Sequence, residues 1–577
     1  MYSKTPAINI KIRLIAYCSS LALILITARL LYLQINLTTY FFDRSQHNFL
    51  RMETVRSPRG NIIDRTGKLL ATNRPVINLY WQGTGNYTFN DAQQKLLSQL
   101  EDILDKPIIT NPSLKNNLQY AEQRYQEIRM ASDITFEQLS KIKELFSNQP
   151  NISIKTDCRR HYPYKSYASH LVGYLGHSID VDSYDGQMGL EKMFEHILKG
   201  ETGIMLKTIN SIGRKLAEKE IKAPFSGEPI QTTINIELQE LCEKIFPEDA
   251  AGTIILMDPK DGDILALVSR PDFDPNIFLQ PISPEKWQQL QEKKPFLNRA
   301  LNACYPPGSL FKLITVSAAL EHGLISPEST VRCRGSIHFG DRKYRCHCHE
   351  GHGELTIAQA LAQSCNILCY EIGKQIDVDI LAKYAYKFGL GQKTNIIFPE
   401  KQGLVPTKTW KQETKGERWR LGETLSVAIG QSFVLVTPIQ IASMISSIFT
   451  GIIPTPRFLS IEKPHGRPLD IKSETLAFLK KSMKLVVTMG TGQRVSRIKD
   501  FEIYAKTSTA QTSLYSKRTL GSNYLEHGWF AAHLTYKTSS PLVAVILIEN
   551  VGSSMVAANV VLNFLIAYKK LIDQKII

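Results

Sequence analysis

The chain has too few cysteines for its length to be held together by disulfides: nine in 577 residues, four of them crowded between positions 333 and 365. A disulfide-framework fold is therefore excluded. Acidic residues are also short, 54 against 69 basic ones, for a net charge of +15. The excess is spread along the chain and no nucleic-acid-binding motif goes with it, so a nucleic-acid partner is set aside. A basic surface facing anionic lipid or an anionic polymer fits better. No small-residue cleavage site comes after the N-terminal apolar run, which argues against a removed signal peptide. What remains is ordinary globular composition, 43% apolar, in a chain long enough for several domains.

The N-terminal run is the first feature with a mechanism. Lys4, Lys11 and Arg13 precede an apolar stretch at residues 14–35, about the ~20 residues needed to cross a bilayer. Arg29 interrupts it near the far end, where a long cationic side chain can snorkel to the interface. The basic leader, residues 1–13, is expected to stay in the cytoplasm and the rest of the chain to lie outside. A buried core helix is the competing reading, and Arg29 is its support.

A second apolar run, residues 310–320, opens at Tyr305-Pro306-Pro307-Gly308-Ser309-Leu310-Phe311-Lys312. Proline and glycine punctuate its start and Gly323 can end it, so a helix is expected, with Ser309 in its first turn. Lys312 then lies on the same face, one turn along. A serine hydroxyl is a weak nucleophile, but a lysine held beside it in a dry site can lose its charge and take the serine proton. The positive end of the helix favours an oxyanion there. The same spacing occurs at Ser140/Lys143, Ser283/Lys286 and Ser460/Lys463, which read as solvated helical faces. Ser309 is set apart by its setting and by two motifs downstream. Ser364-Cys365-Asn366 comes after a helical signal at 356–363, and Lys506-Thr507-Ser508-Thr509 after a strand-like stretch at 501–505.

Ser-x-x-Lys, Ser-x-Asn and a Lys-Thr-Gly-like element, in that order, resemble the active-site set of penicillin-binding proteins and serine β-lactamases. Three glycine-rich patterns upstream extend the resemblance to nearly the whole chain. They are Arg56 to Gly67, Arg160-His161-Tyr162-Pro163 running on to His170 and Gly176, and Gly186 to Glu191 running on to Gly203. As residues they read as glycine turns with charges that pair where segments meet, and His161 and His170 read as structural. As a set they resemble the noncatalytic pedestal module of class B penicillin-binding proteins. Gly351-His352-Gly353 and Trp419 to Thr424 ahead of Gly430-Gln431 resemble the elongation-type penicillin-binding protein 2 more than the division-type enzyme.

The resemblance implies a multidomain α+β chain. It would have a transmembrane anchor, an extended pedestal (dimerisation) module at 40–245, and a transpeptidase domain at 246–577 built as an antiparallel sheet flanked by helices. Strand-like stretches at 250–258, 263–268, 501–505, 528–536 and 542–549, with an apolar helix at 555–572, agree with that sheet. By the resemblance, Ser309 is the nucleophile and Lys312 the general base. Ser364 relays protons, Asn366 holds the lysine and the substrate amide, and Lys506 and Thr507 bind the substrate carboxylate. The backbone N–H groups of Ser309 and Thr509 would form the oxyanion hole. Two departures stand out: Ser508 and Ser432 replace glycines of the family pattern. Glycine lets substrate backbone lie close on a strand, so Ser508 fits if its side chain points away.

Cys333, Cys346, Cys348, Cys365, His347, His349 and His352 fall in one short span. Thiolate and imidazole are the ligands zinc prefers, and four close a structural site. The expected set is Cys333, Cys346, His352 and Cys365, with Cys348 and His349 as substitutes. Its spacing resembles a zinc site of elongation-type relatives that have acidic ligands where this chain has cysteine. A disulfide from Cys333 to Cys346 or Cys348, or plain burial, are the alternatives. No cofactor is expected for catalysis itself.

The implied function is a membrane-anchored serine D,D-transpeptidase that cross-links peptidoglycan stem peptides during elongation and shape maintenance. It would be acylated by β-lactams, with D,D-carboxypeptidase as a side activity. No deacylating glutamate and no glycosyltransferase signature are recognisable; by the resemblance, polymerisation would come from a SEDS-family partner, alongside other proteins of the elongation complex. The expected location is the bacterial inner membrane, single-pass, with the catalytic domain periplasmic. A β-lactam sensor or β-lactamase on the same fold, or a catalytically impaired scaffold, are the alternatives.

Overall fold

The computed structural model describes residues 6–177, 184–210, 215–280, 282–511 and 521–574. Lys4 of the basic leader and the last three residues of the C-terminal domain lie outside them. The chain divides into two compact units. One comprises Met1–Arg59, Asn73–Arg159 and Lys199–Gly227, the other Gly60–Thr72, Arg160–Leu198 and Glu228–Ile577. Three stretches inside the expected 40–245 module, residues 60–72, 160–198 and 228–245, thus belong to the C-terminal unit.

In the first unit, α1 (Pro6–Leu31) continues through a π-helical turn at Tyr32–Asn36. Residues 10–36 are apolar, long enough to cross a membrane, and unburied. A helix that exposes leucine and isoleucine all round belongs in lipid. Beyond it, β1 (Leu50–Val55) leads to β2 (Leu69–Gln82), α2 (Asp91–Leu104), α3 (Pro112–Gln123), β3 (Glu127–Ala131), α4 (Phe136–Phe146), β4 (Ile152–His161), β5 (Gly203–Ile209) and β6 (Lys215–Lys222). β1, β5 and β6 form an antiparallel sheet. Separately, the end of β2 pairs with β3, and Leu79, Trp81, Leu97, Leu100 and Ile142 pack into a small core with α2 and α4. Capping boxes at Asn90/Gln93 and Thr135/Gln138 start those two helices, satisfying N–H groups that the first turn leaves without partners.

The second unit contains α5 (Ile236–Ile245), β7 (Gly252–Met257), β8 (Ile264–Arg270), α6 (Lys312–Glu321), β9 (Thr330–Cys333), β10 (Ser336–Phe339), β11 (Arg342–Arg345), β12 (Gly353–Thr356), α7 (Ile357–Ala362), α8 (Asn366–Gln375), α9 (Pro438–Thr450), α10 (Ser473–Thr488), β13 (Phe501–Ala510), β14 (His527–Tyr536), β15 (Leu542–Ile548) and α11 (Ser554–Asp573). Five strands form the main sheet in the order β8-β7-β15-β14-β13, all antiparallel. β7 and β15 are buried at every residue, which is why they read as unbroken apolar runs. Successive side chains still go to opposite faces. Ile255, Met257, Val543, Val545 and Leu547 join a core with α6, α7, α8 and α9. Ile254, Leu256, Ala544, Ile546 and Ile548 join a core with α5 and α11. β13 is an edge strand.

The three glycine-rich patterns meet within this unit. Arg160 Nε pairs with Glu191 Oε1 at 2.7 Å, both side chains almost wholly buried. Arg160 also donates to Gly60 O at 2.8 Å, and Tyr162 Oη donates to Glu191 Oε1 at 3.1 Å. His170 is structural: its Nε2 lies 2.7 Å from Pro295 O, and burial pulls its pKa down to about 4.

Candidate active site

Ser309 sits in a 3₁₀ turn, Gly308–Leu310, that runs directly into α6. Gly308 has φ +52°, a conformation that suits glycine. Its N–H donates to Gly430 O at 2.9 Å. On the other side the loop is fastened to β13 and β14, because Trp529 Nε1 donates to Pro306 O at 3.1 Å and Ser508 Oγ to Pro307 O at 2.8 Å. Tyr305, just upstream, donates to Glu549 at 2.6 Å.

Lys312 is buried. Its Nζ donates to Ser364 O at 2.6 Å and to Asn366 Oδ1 at 2.7 Å, and lies 3.3 Å from Ser364 Oγ. Two short acceptors use two N–H bonds, which is what a neutral amine has to give. Desolvation lowers its pKa from the usual lysine value, so deprotonation is easier here than in water. Lys506 is also fully buried and donates to Ser364 Oγ at 3.0 Å and to Thr507 O at 2.9 Å. Burial, then the nearby Lys312, pushes its pKa well down. Ser364 Oγ thus lies between two lysine nitrogens of softened charge, an arrangement able to pass a proton.

Ser364 holds this place at φ +54°, uncommon for a non-glycine residue. It is the joint between α7, capped by the Thr356/Gln359 box, and α8, which starts at Asn366. β13 runs through the Lys-Thr element to Ala510, further than the strand signal at 501–505. Lys506 and Ser508 therefore share one face and Thr507 and Thr509 the other. An edge strand leaves alternate N–H and C=O groups without a strand partner, and an extended peptide can add to it.

Ser309, Ser364, Asn366, Thr507 and Thr509 line one groove of about 880 Å³, with Lys312 and Lys506 bonded to Ser364 beneath it. The groove also presents residues that the motifs did not flag: Arg345, Tyr370, Thr491 and Arg494. Thr491 Oγ1 lies 2.5 Å from Thr507 Oγ1. Its flanking glycines, Gly490 and Gly492, are its mark in the sequence. The other Ser-x-x-Lys pairs are elsewhere: Ser140 is an exposed helix residue and Ser283 an N-cap.

Beside the groove, Cys333, Cys346, His352 and Cys365 place their ligand atoms within 4.8 Å of one another. A tetrahedral zinc site with sulfur at about 2.3 Å needs sulfur atoms roughly 3.8 Å apart, so this donor set fits a metal ion with small adjustments. The Cys346 thiol is pushed down by hydrogen bonding with Cys365, and the Asn366 N–H also donates to its Sγ, at 3.4 Å. Cys348 donates to Gly351 O instead. All nine cysteines are unbridged, so neither disulfide alternative is formed.

Residues 252–565 match the family model of the penicillin binding protein transpeptidase domain, and residues 54–232 that of the penicillin-binding protein dimerisation domain. The chain belongs to the class B penicillin-binding proteins, in their elongation-type branch. It is 29% identical to the peptidoglycan D,D-transpeptidase MrdA of Acinetobacter baumannii over 91% of this chain and 82% of that one. Against MrdA of Escherichia coli K12 the figures are 28%, 96% and 93%. A chain from a structure on the coordination of polymerization and crosslinking by a peptidoglycan synthase complex matches with a TM-score of 0.74 and 31% identity, covering 97% of this chain and 98% of that one. The Helicobacter pylori penicillin-binding protein 2 in complex with MreC matches with a TM-score of 0.75 and 27% identity, covering 92% and 100%. For this penicillin-binding protein, sequence and geometry converge on one serine-lysine groove.

Proposed function

We propose that Ser309 attacks the carbonyl between two D-alanines at the end of a peptidoglycan stem peptide, with Lys312 accepting its proton. The observation that carries this is the pair of buried lysines sharing Ser364 Oγ at 3.3 and 3.0 Å. Ser364 passes the proton to the departing D-alanine, leaving an acyl-enzyme on Ser309. The amine of a second stem peptide then attacks, and the relay runs in reverse. Thr507 receives the donor's terminal carboxylate; Lys506, which the resemblance also assigned to it, is fully buried on the other face of the strand and bonds Ser364 Oγ instead. The donor backbone lies along the edge of β13, and the N–H groups of Ser309 and Thr509 face the oxyanion. β-Lactams acylate the same serine.

The protein is a peptidoglycan D,D-transpeptidase of the elongation type, carried by a single span in the inner membrane with its catalytic unit on the periplasmic side. Residues 40–245 are proposed as the pedestal and 246–577 as the transpeptidase domain, with cell elongation and shape as the process served. Its partners are those of an elongation complex, and the proposed polymerase is a SEDS-family glycosyltransferase. Cys333, Cys346, His352 and Cys365 would hold zinc, which when bound supplies structural cross-linking only. The Cys346 and Cys365 ligands flank the backbone of Asn366, so they position the residue that holds Lys312.

Intact-mass spectrometry of the full chain in detergent, with and without penicillin, tests the reading. A stable adduct mapped to Ser309, absent from Ser309→Ala, is expected. Lack of an adduct on folded protein would refute it. Metal analysis of the same sample should return one zinc per chain.

A further inference from the structure

The Ser309 N–H, the donor that should face the oxyanion, is already engaged. It donates to Ser508 Oγ at 2.7 Å, and that hydroxyl donates onward to Pro307 O at 2.8 Å. Ser508 is buried between β13 and the nucleophile loop, and the fit is close. A methyl group built on Gly308 would stand 2.4 Å from Ser508 Oγ. A glycine at position 508 would put no acceptor there. We propose that the Ser508 hydroxyl is a latch on the oxyanion hole, a positioning residue that competes with the substrate carbonyl for the Ser309 N–H and slows acylation.

One N–H divided between two acceptors serves each less well than one alone. Loss of a single oxyanion donor slows catalysis by about 10²–10³-fold, so partial competition corresponds to a smaller but measurable factor. The latch acts on the acylation step, where charge grows on the carbonyl oxygen. It does not act on the encounter with substrate, which the β13 edge and Thr507 govern. It also fastens the loop in the resting enzyme, which a merely structural role would share.

The inference rests on Ser309 being the nucleophile. The test is stopped-flow acylation of the full chain by a fluorescent penicillin, comparing wild type with Ser508→Ala and Ser508→Gly. Both variants should acylate at least about tenfold faster at saturating penicillin, a fraction of the effect of one oxyanion donor, with the dissociation constant of the non-covalent complex unchanged. Ser508→Ala keeps Cβ and so keeps the packing, and cooperative thermal unfolding confirms that each variant is folded. A Ser309 adduct formed at wild-type rate or slower in both variants overturns the latch alone. A change confined to the dissociation constant also overturns it. Absence of any Ser309 adduct, in wild type and variants alike, overturns the nucleophile assignment and the latch with it.

Discussion

Asn366→Asp offers the sharpest test of Lys312 as a base that works by being neutral. The two side chains have the same shape, and Asn366 Oδ1 stands 2.7 Å from Lys312 Nζ. The substitution places a carboxylate at that distance and favours the ammonium form. A full unit charge there, at an effective dielectric of about 20, would be worth about 6 kcal/mol, which is a ceiling. Two effects reduce it. The charge is divided between two oxygens, and Asn366 Nδ2 donates to Arg345 O at 3.1 Å, where an aspartate would set acceptor against acceptor and favour its own protonation. An opposite charge in contact raises a lysine pKa by about 1–3 units, or about 1.4–4 kcal/mol. At pH values below the lysine pKa the neutral fraction of Lys312, and the acylation rate with it, should fall by about ten- to a thousandfold. Because the base form is the active one, the rate rises with pH through the lysine pKa, and the variant's profile should shift to higher pH by about the same 1–3 units. The pH profile of acylation by a fluorescent penicillin reads both quantities. A rate loss that is uniform across pH, with no displacement of the profile, would refute the assignment of Lys312 as the base.

The framework around the groove gives three further expected outcomes. Glu191→Ala and Glu191→Gln both leave the buried Arg160 without its countercharge and should each cost about 3–5 kcal/mol in urea unfolding; a much smaller loss for Glu191→Gln would count against the ion pair and leave only a hydrogen bond. Ser432 is exposed with φ +69°, so Ser432→Gly should stabilise by about 0.5–1 kcal/mol, and no gain in urea midpoint would mean that its side chain is needed. His170 is neutral in the fold with a pKa near 4, below its unfolded value. The unfolded chain then binds a proton that the fold does not, and stability should fall as pH drops from about 6.5 to 4, by up to about 3 kcal/mol. His170→Gln should flatten that stretch of the acid-unfolding curve.

Motifs were legible in proportion to how local their physics is. The N-terminal span, the fully buried strands and the apolar C-terminal helix each come from the chemistry of one stretch, and all appear close to where the sequence put them. Ser309, Lys312, Ser364, Asn366 and Lys506 were legible as types and order, because a relay needs short hydroxyl and amide groups between amines. Other features were not local. Ser309 lies in a 3₁₀ turn before the helix, and β13 runs on to Ala510, past its apolar signal. Residues 60–72 and 160–198 pack with the C-terminal unit because Arg160, Gly60 and Glu191 meet there. Thr491, Arg345 and Arg494 reach the groove from segments with no motif.

Sequence alone determined the anchor, the sheet-forming stretches and which side chains could do serine-lysine chemistry, since hydropathy, turn chemistry and functional groups belong to the residues themselves. Only the tertiary structure decided that two lysines share one hydroxyl, that the donor atoms of three dispersed cysteines and a histidine lie within 4.8 Å, and that Ser508 turns toward the nucleophile loop. Those relations join residues up to 201 positions apart. Burial lowers the pKa of a lysine, and a hydroxyl finds its partner, only once distant segments have excluded water between them.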